Sequence, residues 1–289
     1  MSGKNNSHSA STTTSTSPET SSSNGLPVLN ADRLKLLYST MLQCRQLEAR
    51  ASKRRSRNAS PLALLVGCAL NLEPEDFIVP GPYQAVAAFL QRTLHPHESA
   101  SGSRRSKRTK SSEEDFATLN LITGPTKESR LSVGLGVAVA NKRQKNRSVT
   151  LAFVADQAMS VKMANEALSF AAAHKLPIVY IVENARSANG RGTKTHTQGV
   201  PTITVDGNDA VAVYRVSQES IRRAREGYGP AVIEARTLNS SQRSANSSES
   251  DPLGFMENYL KQKQLWSDNW KKKLSKNSRS SSSSRSRSR

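Results

Sequence analysis

Three stretches of the chain are apolar along almost their whole length: SVTLAFVAD (148–156), LPIVYIVEN (176–184) and PAVIEART (230–237). A strand with one face in water alternates apolar and polar residues, so runs without that alternation require cover on both sides. Segments of helical period lie between them. Residues 160–175 place Met163, Ala167, Phe170 and Ala171 on one side. A later helix, capped by Asn208 or Asp209, carries Val211, Tyr214 and Ile221 and stops at Gly227. Buried strands alternating with helices predict an α/β fold, a mostly parallel sheet with helices on both faces.

The flanking segments fill in the organisation. Asp32 reads as the N-cap of a helix with Leu34, Leu37, Met41 and Cys44 at helical spacing, and a second helix is expected over 61–71. LSVGLGVAVANK (131–142) reads as a helix with small residues on one face, which permits close packing of another element. Residues 251–274 read as one last amphipathic helix. One folded domain is expected over 28–274, between a disordered Ser/Thr-rich tail (1–27) and a disordered Arg/Ser tail (275–289), because the tails have almost nothing apolar to bury. SASGSRRSKRTKSS (99–112) has the composition of an exposed basic loop.

Charge follows the same division. The net charge is +19, and residues 50–57, 104–110 and 271–289 hold five, five and eight basic residues with no acidic one. Basicity therefore belongs to patches and a tail, while the rest of the domain is nearly neutral. Such a tail can neutralise phosphates but has no aromatic ring to stack on bases, so weak, sequence-indifferent polyanion binding is expected of it. Cys44 and Cys68, the two cysteines, sit in apolar helical patterns and read as buried reduced thiols. No apolar run approaches the ~20 residues that cross a bilayer. The first 25 residues lack the features of a signal or transit peptide, so a soluble cytoplasmic protein is expected.

Six segments in order carry a more specific resemblance: LYSTMLQCRQLEARA (37–51), GLGVAVANK (134–142), NEALSFAAAHKLPIVYIVEN (165–184), VDGNDAVAVYR (205–215), GYGPAVIEART (227–237) and DPLGFMENYL (251–260). Together they resemble the alpha subunit of the thiamine-diphosphate-dependent decarboxylating component of 2-oxo acid dehydrogenase complexes. That family includes the pyruvate, branched-chain 2-oxo acid and acetoin dehydrogenases. The resemblance implies a thiamine-diphosphate-binding fold. It also implies Mg²⁺ bridging the two phosphates of the cofactor, and a beta subunit whose glutamate activates the cofactor ring.

The family's cofactor residues carry over only in part. Its motif opens on a G-D-G turn, which reads Ala155-Asp156-Gln157 here, and closes on an Asn pair, which reads Asn184-Ala185. The resemblance makes Asp156 the surviving metal ligand, and Asn184 and Ser187 vestigial cofactor positions, with Ser187 offering only its carbonyl. Mg²⁺ demands a near-octahedral oxygen shell, so the oxygen lost at Ala185 is not trivially replaced. The family's G-I-V-G-A-Q stretch aligns with PTKESR (125–130), which puts Glu128 where the aminopyrimidine ring would approach; a carboxylate there obstructs it. A G-H-S histidine aligns with Arg243, and of the Tyr-Arg-Asp-His segment only Tyr83 remains. Asp156 keeps two readings, a vestigial metal ligand or an acid beside a helix at a strand end.

Other candidates are bland. His174 ends a helix, where a cation suits the dipole. His196 lies in a Gly/Thr-rich loop without a recognisable partner, and His95 and His97 flank Pro96 without further ligands. Gly134 and Gly136 read as packing positions. The expectation is a degenerate, non-catalytic alpha-like subunit that binds neither thiamine diphosphate nor Mg²⁺. It would act as a partner or regulatory chain, by self-association or with a beta-subunit-like chain. An active alpha subunit working with a beta subunit, and a polyanion-binding protein using its Arg/Ser tail, are the alternatives.

Overall fold

The computed structural model describes residues 29–51, 61–94, 120–122, 127–155, 161–186, 199–238 and 251–283. Its sheet consists of β1 (Phe77–Val79), β2 (Thr150–Ala155), β3 (Ile178–Arg186), β4 (Thr202–Asp206) and β5 (Ala231–Leu238), in the order β1-β2-β3-β5-β4. Every pairing is parallel. The three apolar runs are the inner strands. Val179 and Ile181 of β3 join Leu151, Phe153, Ile233 and Ala235 on one face, while Ile178, Tyr180 and Val182 join Ala152, Val154 and Val232 on the other. Burial on both faces is why these runs tolerate no alternation.

The two faces are covered unequally. Helices α1 (Ala31–Ala51), α2 (Leu62–Ala69), α3 (Gln84–Leu94), α6 (Ala210–Arg225) and α7 (Pro252–Gln262) build the first. All eight residues of α2 are buried. Helix α2 crosses α6 so closely that a Cβ on Gly67 would lie 2.8 Å from Val213 Cγ1. The second face carries only α4 (Lys127–Arg143) and α5 (Val161–Ala173). There Gly134 presses on Val79, whereas Gly136 faces open space, and Val133 and Phe170 are 41 % and 45 % exposed.

The N-terminal ends of the strands are held by one carboxylate. Asp76, with no exposed surface, accepts hydrogen bonds from the backbone N–H groups of Val149 (2.7 Å) and Glu73 (2.8 Å). It also receives both terminal nitrogens of Arg225, at 2.9 and 2.7 Å. A buried anion is tolerated only when its lone pairs are filled in this way. The loop before β1, the start of β2 and the last turn of α6 are thereby joined.

Several boundaries differ from the sequence expectation. Strands β1 and β4 are additions: FIV is too short to show a period, and TITVD is a sheet margin whose exposed residues break any apolar run. Helix α1 is capped by Asn30, whose Oδ1 accepts from Arg33 N at 2.9 Å, and Asp32 lies in its first turn. Asp209, not Asn208, caps α6, accepting from the N–H groups of Val211 and Ala212.

Residues 251–274 are not one helix. The chain turns at Gln264 (φ +57°), Trp266 Nε1 donates to Asp268 Oδ1 at 3.0 Å, and α8 (Asp268–Ser283) begins. Tyr38 pins the bend, stacking edge-on against Trp266 at 5.2 Å and donating its hydroxyl to Glu257, which also pairs with Lys271. Residues 275–283, assigned above to the Arg/Ser tail, continue α8, because Trp270 and Leu274 anchor one side of it on the core. Residues 284–289, 1–28 and 99–112 lie outside the described residues. Among the described residues, no helix is long and apolar enough to cross a membrane.

Both thiols are where the sequence puts them. Cys44 and Cys68 are free and buried, and burial pushes each thiol up to about 12.

Candidate functional site

In a parallel α/β sheet, ligands bind beyond the carboxyl ends of the strands. Here that end begins with the turn after β1. Gly81 takes φ +58°, and its backbone runs so near β2 that a Cβ would lie 3.0 Å from the Phe153 carbonyl oxygen. Tyr83 N donates to Pro80 O at 3.0 Å, closing the turn, and Tyr83 then leads into α3. The Tyr83 hydroxyl donates to the Glu183 carboxylate of β3. Thr237 Oγ1 of β5 donates to the same carboxylate at 3.3 Å. The turn after β4 folds over this pair: Gly207 N donates to Arg236 O, and a Cβ on Gly207 would meet Thr237 Cγ2 at 2.7 Å.

Three elements thus share one carboxylate. Burial, then the charge and hydrogen bond of Glu183, hold the Tyr83 phenol well above its usual range. It is a fixed proton donor to Glu183 and not a base. The arrangement orients Glu183 and fills part of its acceptor capacity.

The sequence-derived candidates fall around this cluster. Asn184 continues β3, its backbone in register with Arg236, and Ala185 pairs with Thr237. Asp156 follows the last residue of β2 and Ser187 the last of β3, so both belong to this end by chain position; both lie outside the described residues. Arg243, His95, His97 and His196 also lie outside them. Glu128 is in the first turn of α4. His174 follows α5, its ring 4.3 Å from Phe170 and its carbonyl accepting from Lys142 Nζ, which is a structural setting.

The described residues do not by themselves fit Mg²⁺ and a diphosphate. Ala185 has no side-chain oxygen and is held in the β3–β5 ladder, the Tyr83 hydroxyl is bound to Glu183, and no group of three or more His, Cys, Asp or Glu among them could hold a metal. The sequence reading missed Glu183 and Thr237. Its one available signal was a lone carboxylate inside an otherwise apolar strand.

A doubly covered parallel sheet with a polar cluster at its carboxyl end defines the class: an α/β domain of the cofactor-binding type. The chain belongs to the family described as "Dehydrogenase E1 component", whose profile matches residues 33–283. It is similar to the pyruvate dehydrogenase E1 component subunit alpha of Acholeplasma laidlawii, 28 % identical over an alignment of 289 positions that covers 86 % of this chain and 81 % of that one. The same-named subunit of Staphylococcus aureus (strain Mu50 / ATCC 700699) is 28 % identical over 68 % of this chain and 60 % of its own. The 3-methyl-2-oxobutanoate dehydrogenase subunit alpha of Mycobacterium tuberculosis (strain CDC 1551 / Oshkosh) is 34 % identical over 46 % of this chain and 43 % of its own. A solved structure from Mycobacterium smegmatis, assigned to the thiamin diphosphate-dependent enzymes, aligns with TM-score 0.41 at 18 % identity, over 62 % of this chain and 32 % of that one.

Proposed function

We propose that this chain is an alpha-like subunit of the 2-oxo acid dehydrogenase type whose catalytic set is incomplete, and that it works in the cytoplasm as a partner or regulatory subunit. One observation supports this most directly: Ala185, at the position of the closing asparagine, pairs in register with Thr237 and brings no oxygen to a metal. The substitutions Ala155 and Gln157, together with Glu128 and Arg243, point the same way. Titration calorimetry with thiamine diphosphate and Mg²⁺ is expected to show no Mg²⁺-dependent binding in the micromolar range; such binding overturns the reading in favour of an active subunit. The triple variant Ala155→Gly, Gln157→Gly, Ala185→Asn restores only the metal end, and decarboxylation of a 2-oxo acid is expected to remain absent.

Association can outlast catalysis, because it rests on buried apolar area and not on a few polar ligands. The thinly covered face, with Val133, Gly136 and Phe170 open, supports docking of a second copy or of a beta-subunit-like chain. Light scattering that returns a monomer mass at every concentration, alone and with such a chain, contradicts it. Weak polyanion binding by the basic C-terminal segment is a second proposal, supported by the exposed Lys272 and Lys273 of α8. Binding that survives high salt places recognition elsewhere.

A further inference from the structure

At the opposite end of the sheet from Glu183, a cleft of about 450 Å³ opens between the first turn of α1, the loop from α2 to β1, the segment before β2 and the second half of α6. Its floor is apolar, formed by Leu70, Leu72 and Ile221, and its rim carries Arg33, Arg147, Arg222 and Arg225. Two of these four charges are already matched. Arg225 is held by Asp76 and Glu73. Arg222 lies between Glu219 and Glu226, with contacts of 2.7 to 2.8 Å to each. Among the described residues, the guanidinium groups of Arg33 and Arg147 have no carboxylate and no hydrogen-bond acceptor.

Their places on the rim are nevertheless fixed. The Arg33 N–H is bound by the Asn30 side chain, and the Arg147 carbonyl oxygen accepts from Arg225 Nη1 at 3.0 Å. Every neighbouring carboxylate is neutralised by Arg222 or Arg225, so an anion entering the cleft meets two cations whose charge is not otherwise used. A concave wall concentrates such a potential, and a guanidinium offers paired donors that suit a phosphate or carboxylate head.

We propose that this cleft binds a small organic anion with a doubly charged head, the head between Arg33 and Arg147 and the carbon body on Leu70, Leu72 and Ile221. The shared chemistry is that of a phosphate monoester or a dicarboxylate, and a volume within the usual range of small-molecule sites holds either.

The test is titration calorimetry of the full chain at low ionic strength with glucose 6-phosphate and with succinate. Saturable one-site binding of at least one is expected, and the tighter of the two identifies the head. The double variant Arg33→Gln, Arg147→Gln should weaken it roughly tenfold or more, the effect of losing charge-assisted hydrogen bonds. Gln218→Glu, which sets a new carboxylate in the lining, should weaken it too and serves as the independent variant if the first folds poorly. Lys272→Gln with Lys273→Gln, which removes two exposed charges of α8, should leave the affinity unchanged. The proposal is overturned if neither probe saturates, if Arg33 and Arg147 can be replaced without effect, or if the α8 pair weakens binding equally.

Discussion

The two faces of one sheet present opposite solutions to the same problem. Under α1, α2, α3, α6 and α7, large side chains such as Leu37, Tyr38, Met41 and Leu64 are fully buried, and an entire helix has no solvent-facing side. Under α4 and α5, alanine, glycine and valine dominate, Phe170 stands out in solvent, and the hydroxyl of Tyr180 and the Nδ2 of Asn141 are buried with no partner among the described residues. A face filled with interlocking large side chains is complete within the chain. A face of small residues, with an aromatic ring outside and unmatched polar atoms inside, has less invested in its own closure. Function and tolerance to change should therefore divide along the sheet.

Substitution can break that comparison. Leu64→Ala, in the heavily covered face, is expected to cost about 2–5 kcal/mol by urea denaturation, while Phe170→Ala on the other face should cost under about 0.5 kcal/mol. Similar losses would mean that the faces are equally consolidated. Gly67→Ala should cost about 1–3 kcal/mol, because its Cβ meets Val213 Cγ1 and, at 3.1 Å, the Ala210 carbonyl of a packed helix. A neutral result would show that α2 and α6 can part freely. Tyr180→Phe should stabilise by about 1 kcal/mol, since it removes a buried hydroxyl that has no partner. Destabilisation would reveal a bridging water. The smallest effect belongs to Gly136→Ala, a gain of about 0.5–1 kcal/mol for the isolated chain, as nothing lies within 4 Å of the new methyl. If the chain associates through α4, the same methyl should weaken that association, and light scattering separates the two outcomes.

The sequence discloses the heavily covered parts best. Leu151, Ile181 and Ile233 sit in runs that only a two-sided burial explains, and the helix of Val211, Tyr214 and Ile221 has one period and one clear stop. Strand β1 escapes because three residues have no period, and β4 because Thr202 and Thr204 look like loop. Asn30 and Asp32 are equally good caps by composition, and the backbone chooses between them. The site divides in the same way. Asp156, Asn184 and Ser187 come from motif spacing, which reads along the chain. Tyr83, Glu183 and Thr237 meet across separations of 100 and 54 residues, and no local pattern encodes such a meeting.

The margins of the sheet carry a consequence for handling the protein in solution. On the β1 side, Leu121 bridges to Ile78, which donates to Asn120 O at 2.8 Å and accepts from Ile122 N at 2.7 Å, so that flank is occupied. On the β4 side, no described segment runs alongside, and Thr202, Ile203, Thr204 and Asp206 are exposed. Lateral growth of the sheet can therefore proceed in one direction only. Pro201 just before the strand, the strand's short length and the carboxylate of Asp206 at its end are the features that discourage it. Concentrated stocks should be most prone to strand-to-strand clumping along this flank, and most of all in acid, where Asp206 loses its charge.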